Sequence, residues 1–306
     1  MLFCLTKRCL LILNHQPSGE KMKSISRYFS EDSLSQVKKD LFFLLKSTRE
    51  SNGEIDFQIR PGNKFNLYYK GNSLAEVAVR KDNYQIKIHR EFQMAEALAK
   101  DPKKRFYPSL ITKRGEYDLI SVGSISIHAC LQKKVINHLA VRIKKVNNGE
   151  EIAFEQSLIT DNLDRPDFLI IDRQVCGGGI PGIIDLLALK KNHDNRWSFV
   201  VVEVKLGNNK ELSGSVYDQL DRYVKAIRAN FPAFKECYEK NYIQKKELRL
   251  LSLELPDNIE IDNIVNGMIV VGSYSKIGER AIRELSKKHP DMEYHICQFS
   301  NLMVIC

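Results

Sequence analysis

Glu203 and Lys205 stand two apart in Phe199–Gly207, a run that is otherwise apolar up to its closing glycine. Residues two apart on a strand point to the same face. An acid and a base on one buried face are costly unless they are paired or bound to something. Ile183–Leu189 is a second aliphatic run and carries one carboxylate, Asp185. Seventeen residues lie between Asp185 and Glu203, enough for two antiparallel strands joined by the polar connection Lys190–Arg196. Two carboxylates and an ammonium can therefore converge, a set suited to hydrolysis assisted by a divalent metal. Mg²⁺ takes hard oxygen ligands and keeps several waters, so Asp185, Glu203 and the backbone carbonyl of Val204 suffice on the protein side. Lys205, beside a metal-bound water, can orient the nucleophile, help hold it as hydroxide and stabilise charge on the phosphate. The competing reading of the same three residues is a buried ion-pair cluster that fixes strand register.

Two flanking helices add candidates. In Phe154-Glu155-Gln156-Ser157-Leu158, Glu155 sits beside apolar residues on a helix that precedes the first strand. It can reach the metal or a second one, or it is an ordinary solvated acid. Gln219 and Tyr223 are four apart and share a helix face. Their amide and phenol can touch a phosphate or a base, or they pack the helix on the sheet.

The elements that must position these residues follow from periodicity. Glu150–Thr160 reads as a helix, Asp167–Arg173 as a strand and Gly177–Gly182 as a glycine-rich turn that brings the strand edge close to a ligand. The Asp185 and Glu203 strands come next. Then follow a long helix over Ser213–Lys240, an apolar strand over Asn263–Gly272, a helix over Lys276–Lys288 and a final strand over Met292–Phe299. The order α-β-β-β-α-β-α-β is that of a mixed α/β layer architecture.

The first half reads differently. Asp32–Glu50 carries Leu34, Val37, Leu41, Leu44 and Leu45 at helical spacing. Three strand-like runs, Phe65–Lys70, Leu74–Lys81 and Tyr84–Arg90, are separated by Gly71-Asn72 and Asp82-Asn83, which is turn chemistry for a β-meander. Glu91–Lys100 reads as a helix, the basic run Lys100–Arg114 as a loop and Ala129–Val146 as a long helix. Asn147-Asn148-Gly149 is the best boundary signal. The expected organisation is therefore a disordered or spurious extension over 1–21, with Met22 as the natural start, an α+β accessory domain over 22–148, and a catalytic domain over 149–306.

Charge divides along the same line. Of 306 residues, 47 are Lys or Arg and 38 are Asp or Glu. Residues 1–150 hold 27 and 15, a balance of +12, and residues 151–306 hold 20 and 23, a balance of −3. A basic half beside an acidic site fits a grip on a polyanion, and it fits equally a solvated surface kept for solubility. The seven cysteines form no C-x-x-C pair and read as reduced thiols of an intracellular, cytoplasmic protein. No apolar run approaches a membrane span. The histidines are dispersed, and His193 falls in the polar hairpin loop.

On IDLLAL around Asp185, VVEVK with Glu203 and Lys205, QLDRY with Gln219 and Tyr223, and the helix acid Glu155, residues 150–300 resemble the PD-(D/E)XK nuclease superfamily. The stretch IIDRQV and the tail NGMIVVGSYSKIGERAIRELSKKHPDMEYHI resemble the RecB-like and NucS-like branch. The resemblance implies a restriction-endonuclease-like fold, a mixed central sheet flanked by helices. It implies Mg²⁺- or Mn²⁺-dependent cleavage of DNA leaving 5′-phosphate and 3′-hydroxyl ends. By the same likeness Asp185 and Glu203 ligate metal and Lys205 is catalytic. Gln219 and Tyr223 match the branch's helix motif, and Glu155 its first-helix acid. Ile184, not proline, precedes Asp185, and the literal Pro166-Asp167 lies too far from Glu203 to serve the motif. The expectation is thus a DNA nuclease, for which a homodimer is natural in double-strand cutting. The alternatives are a nucleic-acid-binding or scaffold protein on the same fold, and a nuclease that acts only with a partner.

Overall fold

The structure is a computed structural model that describes residues 25–100, 110–143, 146 and 149–297. The expected extension over 1–21, most of the basic run 100–114, and Asn147-Asn148 of the boundary lie outside the described residues. Two sheets organise the chain, one of six strands and one of five, each flanked by helices. The fold is mixed α/β.

The first sheet is built from β1 (Ile55–Arg60), β2 (Lys64–Tyr69), β3 (Asn72–Arg80), β4 (Asn83–His89), β5 (Leu110–Arg114) and β6 (Tyr117–Gly123), in the order β1-β2-β3-β4-β6-β5. The expected meander is its centre, β2-β3-β4, antiparallel throughout. Three strands were not expected. One of them, β5, replaces the end of the run read as a loop, because Leu110–Arg114 pairs with the turn-linked Tyr117–Ser121. Helices α1 (Glu31–Asp40), α2 (Phe42–Glu50), α3 (Met94–Ala99), α4 (Ile127–Leu131) and α5 (Lys133–Ile143) contribute to its apolar core.

Two expected single helices are broken in this half. Asp32–Glu50 divides at Leu41 (φ −112°, ψ 17°), whose carbonyl still accepts from Leu44 and Leu45, so the kink keeps Leu41, Leu44 and Leu45 all buried. Ala129–Val146 divides at Gln132 (φ −69°, ψ 156°). The piece before the break is buried nearly all round, whereas the piece after it has one apolar stripe, and a single straight helix cannot satisfy both.

The second sheet comprises β7 (Phe168–Gly177), β8 (Ile180–Lys191), β9 (Trp197–Leu206), β10 (Ile261–Gly272) and β11 (Glu293–Cys297), in the order β11-β10-β9-β8-β7. β7, β8 and β9 are antiparallel, and β9, β10 and β11 are parallel. The last strand ends at Cys297 among the described residues, short of the expected Phe299. Helix α6 (Glu150–Asp161) packs Phe154 and Ile159 on Leu186, Ala188, Val200, Val202 and Val204. The opposite face, carrying Phe199, Val201, Leu187 and Leu189, is covered by α7 (Ser215–Ala229), α8 (Phe231–Glu247) and α9 (Ser275–Lys288).

The long helix expected over Ser213–Lys240 is therefore two. It breaks at Asn230 (φ −121°, ψ 29°), two residues before Pro232, which has no N–H to give a helix interior and sits in the first turn of α8. The separation lets Phe234 and Tyr238 lie against Phe199 while α7 stays over the strand ends. The halves also share buried contacts. Ile25 belongs to the second sheet's core, and Leu248 to the first.

Candidate metal centre

β9 is buried from Trp197 to Lys205 without interruption, which is why its two charges need partners. Lys205 Nζ donates to Glu203 Oε1 at 2.5 Å. It lies 3.2 Å from Glu211 Oε2 and 3.9 Å from Asp185 Oδ2. The register that pairs Leu186 with Val202 carries Asp185 to the level of Glu203. The Asp185 side chain then takes over a place in the ladder, accepting from the Val204 N–H at 3.0 Å. Asp185, Glu203, Val204 and Lys205 are all buried. Burial alone would drive the Lys205 ammonium towards its neutral form, but Glu203 and Asp185, with a smaller contribution from Glu151, hold its pKa well above the usual lysine range.

From α7, Gln219 Nε2 donates to Glu203 Oε1 at 2.8 Å and lies 3.1 Å from the Tyr223 hydroxyl. The amide and phenol thus orient the acid of β9. Tyr223 is buried against Gly182 at the start of β8, where φ is +141° and a Cβ would fall 2.6 Å from its hydroxyl. A side chain there would displace the phenol.

From α6, Glu151 and Glu155 bring carboxylate oxygens to Asp185, and the three offer ligand atoms that all lie within 4.8 Å of one another. These acids can hold a metal ion. The donor set fits a hard divalent cation, since it is oxygen only and two of its three members are buried. Charge supports the fit. Four carboxylates, Glu151, Glu155, Asp185 and Glu203, gather with the cations Lys205 and Arg173 in a largely buried place.

Glu151 was not singled out in the sequence. Its signal was available, since it stands four residues before Glu155 and shares its helix face. Arg173 was missed too. Its Nη2 reaches Glu155 Oε2 at 3.2 Å, from a strand read for its position alone. Asp167 is elsewhere, exposed and paired with Arg165 Nη2 at 2.9 Å. His193 is an exposed loop residue, as expected.

No protein-family model matches the chain, and no curated protein matches it. Among solved structures, EndoMS in its apo form overlaps 91% of this chain and 99% of that one, at 12% identity and a TM-score of 0.23. A likeness that loose carries no argument. No helix among the described residues is long and apolar enough to cross a membrane.

Proposed function

We propose that this chain is a metal-dependent DNA nuclease, with residues 149–306 as the catalytic unit and the basic residues 22–148 gripping the nucleic acid. The observation that carries the reading is the convergence of three carboxylates, Glu151, Glu155 and Asp185, within 4.8 Å of one another, with the ammonium of Lys205 3.9 Å from Asp185. The motif resemblance gives it a chemistry, phosphodiester hydrolysis with Mg²⁺ or Mn²⁺.

In this reading Asp185 ligates the metal, with Glu155 and Glu151 from the helix side, Glu203 from the neighbouring strand and the Val204 carbonyl completing the donors. A bound divalent ion supplies Lewis acidity and an acidified water. Lys205 stays protonated and stabilises negative charge on the attacking oxygen and the phosphate. Gln219 and Tyr223 keep Glu203 in its rotamer. A divalent cation would offset the mutual repulsion of these acids, which is also why metal should stabilise the fold.

A second reading has one observation in its favour. Glu211, on the short 3₁₀ turn Lys210–Ser213, sits 3.2 Å from Lys205 and competes with substrate for it. That contact fits a nuclease that acts once a partner or DNA draws Glu211 away. The non-catalytic scaffold gains nothing comparable.

The test is cleavage of labelled single- and double-stranded DNA in Mg²⁺, Mn²⁺ and EDTA, wild type against Glu203→Ala/Lys205→Ala. Metal-dependent cutting by wild type alone is the expected result. Cutting that survives EDTA or the double substitution would reject the assignment.

A further inference from the structure

Glu155 is held by more than the cluster it belongs to. Its Oε2 accepts from Arg173 Nη2 at 3.2 Å and from Gln174 Nε2 at 3.1 Å. The adjacent Gln156 works on both sides of it. Gln156 Oε1 accepts from Arg173 Nη1 at 2.8 Å, and its Nε2 donates to the Gly53 carbonyl at 2.7 Å. Gly53 lies in the turn before β1, in the first sheet's half of the chain.

Three further contacts run the same way. Arg173 lies over the Tyr68 ring, 4.6 Å from its centroid, and its Nη1 is 3.9 Å from Asp56 Oδ2. The β2–β3 turn presses on α6 at Gly71, where φ is +83° and a Cβ would fall 2.6 Å from the Ile152 carbonyl. The helix that carries Glu151 and Glu155 is therefore held by the first half of the chain at Gly53 and Gly71, and through Arg173 of β7 by Asp56 and Tyr68.

We propose that Arg173, with Gln156, is the positioning residue that fixes Glu155 in the acid cluster, so that the first sheet sets the cluster's affinity for a divalent cation. The inference rests on the metal reading above. The physical reason is geometric. The guanidinium is a rigid fork, and its two terminal nitrogens span neighbouring acceptors on one helix, Glu155 and Gln156. A ligand carboxylate must be held within about 0.5 Å of its productive place, and groups behind the ligands supply that restraint. A lysine at 173 keeps the charge and loses the fork.

The test is calorimetric titration of the full chain with Mn²⁺, comparing wild type, Arg173→Lys, Gln156→Met and Asp185→Asn. Unfolding temperatures measured in EDTA accompany each titration. Arg173→Lys and Gln156→Met should each weaken Mn²⁺ binding about tenfold or more, and Asp185→Asn should abolish it. A merely structural role lowers the unfolding temperature in EDTA and leaves the Mn²⁺ affinity of the folded protein alone. Affinities of both variants within about twofold of wild type, with binding lost in Asp185→Asn, would overturn the positioning role and leave the metal reading standing. No Mn²⁺ binding by wild type would overturn both. Should Arg173→Lys fail to unfold cooperatively, Gln156→Met, which changes no formal charge, decides.

Discussion

β7 and β9 each bury two charged residues side by side or nearly so, Asp172 with Arg173 and Glu203 with Lys205, and they put them to opposite use. Around Asp172 the cluster is closed. Oδ1 accepts from Arg60 at 2.6 Å and from the Arg173 N–H at 2.7 Å. Oδ2 accepts from Arg27 at 2.8 Å and from the Tyr238 hydroxyl at 3.0 Å. Further donors go to backbone carbonyls, Arg27 to Gln174, Arg60 to Arg173 and Lys245 to Ile171, and to the Tyr68 hydroxyl (from Arg60) and Gln58 Oε1 (from Lys245). Burial by itself raises the Asp172 carboxyl, but Arg27, Arg60 and Lys245 override it and hold it at about 2. This hub ties the first sheet to the second. Around Asp185 it is acids that gather, with Glu151, Glu155 and Asp185 offering oxygens within 4.8 Å of one another. A buried charge is thus not a functional signal in itself; several carboxylates converging on one point are the stronger one.

The contrast can be broken most sharply at Lys205. Lys205→Ala should lower the cleavage rate by about 10²–10³-fold or more while DNA affinity stays within a few-fold. Turnover near the wild-type rate would make the β9 cluster as structural as the β7 hub. The converse is Asp172→Ala, which leaves buried Arg27 and Arg60 without their acid and should cost about 3–5 kcal/mol of stability. Chemical denaturation measures that loss. Mn²⁺ affinity of the folded variant should match wild type, and a large drop would mean that the two clusters act as one.

The hub should also leave a mark on the pH dependence of stability. Burial pulls Lys245 down to about 8 against the opposing pull of Asp172 and Asp56. Its folded pKa is then below the unfolded value, so between about pH 8 and 10.5 the unfolded state binds more protons and stability rises with pH. Wild type should gain about 3 kcal/mol relative to Lys245→Met across that window. Asp172 acts at the other end. Its stabilisation is present above about pH 4 and is lost as pH falls towards 2. A constant difference between wild type and Lys245→Met from pH 7 to 10.5 would argue that Lys245 is not part of the buried network.

The smallest expected effect is at Glu211. A half-exposed ion pair is worth about 0–1 kcal/mol, so Glu211→Gln should raise the Mg²⁺-dependent cleavage rate by at most about fivefold. A fall in rate would instead place Glu211 among the residues that help the reaction.

Much of the candidate site was legible because strands advertise their charges. VVEVK and IDLLAL are apolar runs in which each charge stands out, and their spacing suits a hairpin. Gln219 and Tyr223 followed from helical spacing. The IIDRQV strand carried the same signal in Asp172 and Arg173, and nothing in the string separated a closed hub from an open cluster. Glu151 was hidden because an acid in the first turn of a helix is ordinary. The broken helices were hidden for another reason: at Leu41 and Gln132 no glycine or proline marks the break, and burial demands from two directions decided it. At Asn230 the mark was present in Pro232.

The sequence by itself determined the period of the second sheet's strands and of the central meander, the acids and the lysine inside the former and the unequal charge of the two halves, because these depend on residue type and spacing alone. Only the tertiary structure decided that α6 swings Glu151 and Glu155 onto Asp185, that Arg27 and Arg60 from the first half close on Asp172, and that Gly53 holds Gln156. These pairings join residues from 30 to 145 positions apart, and at that range which charges meet depends on how the layers pack, not on any local preference.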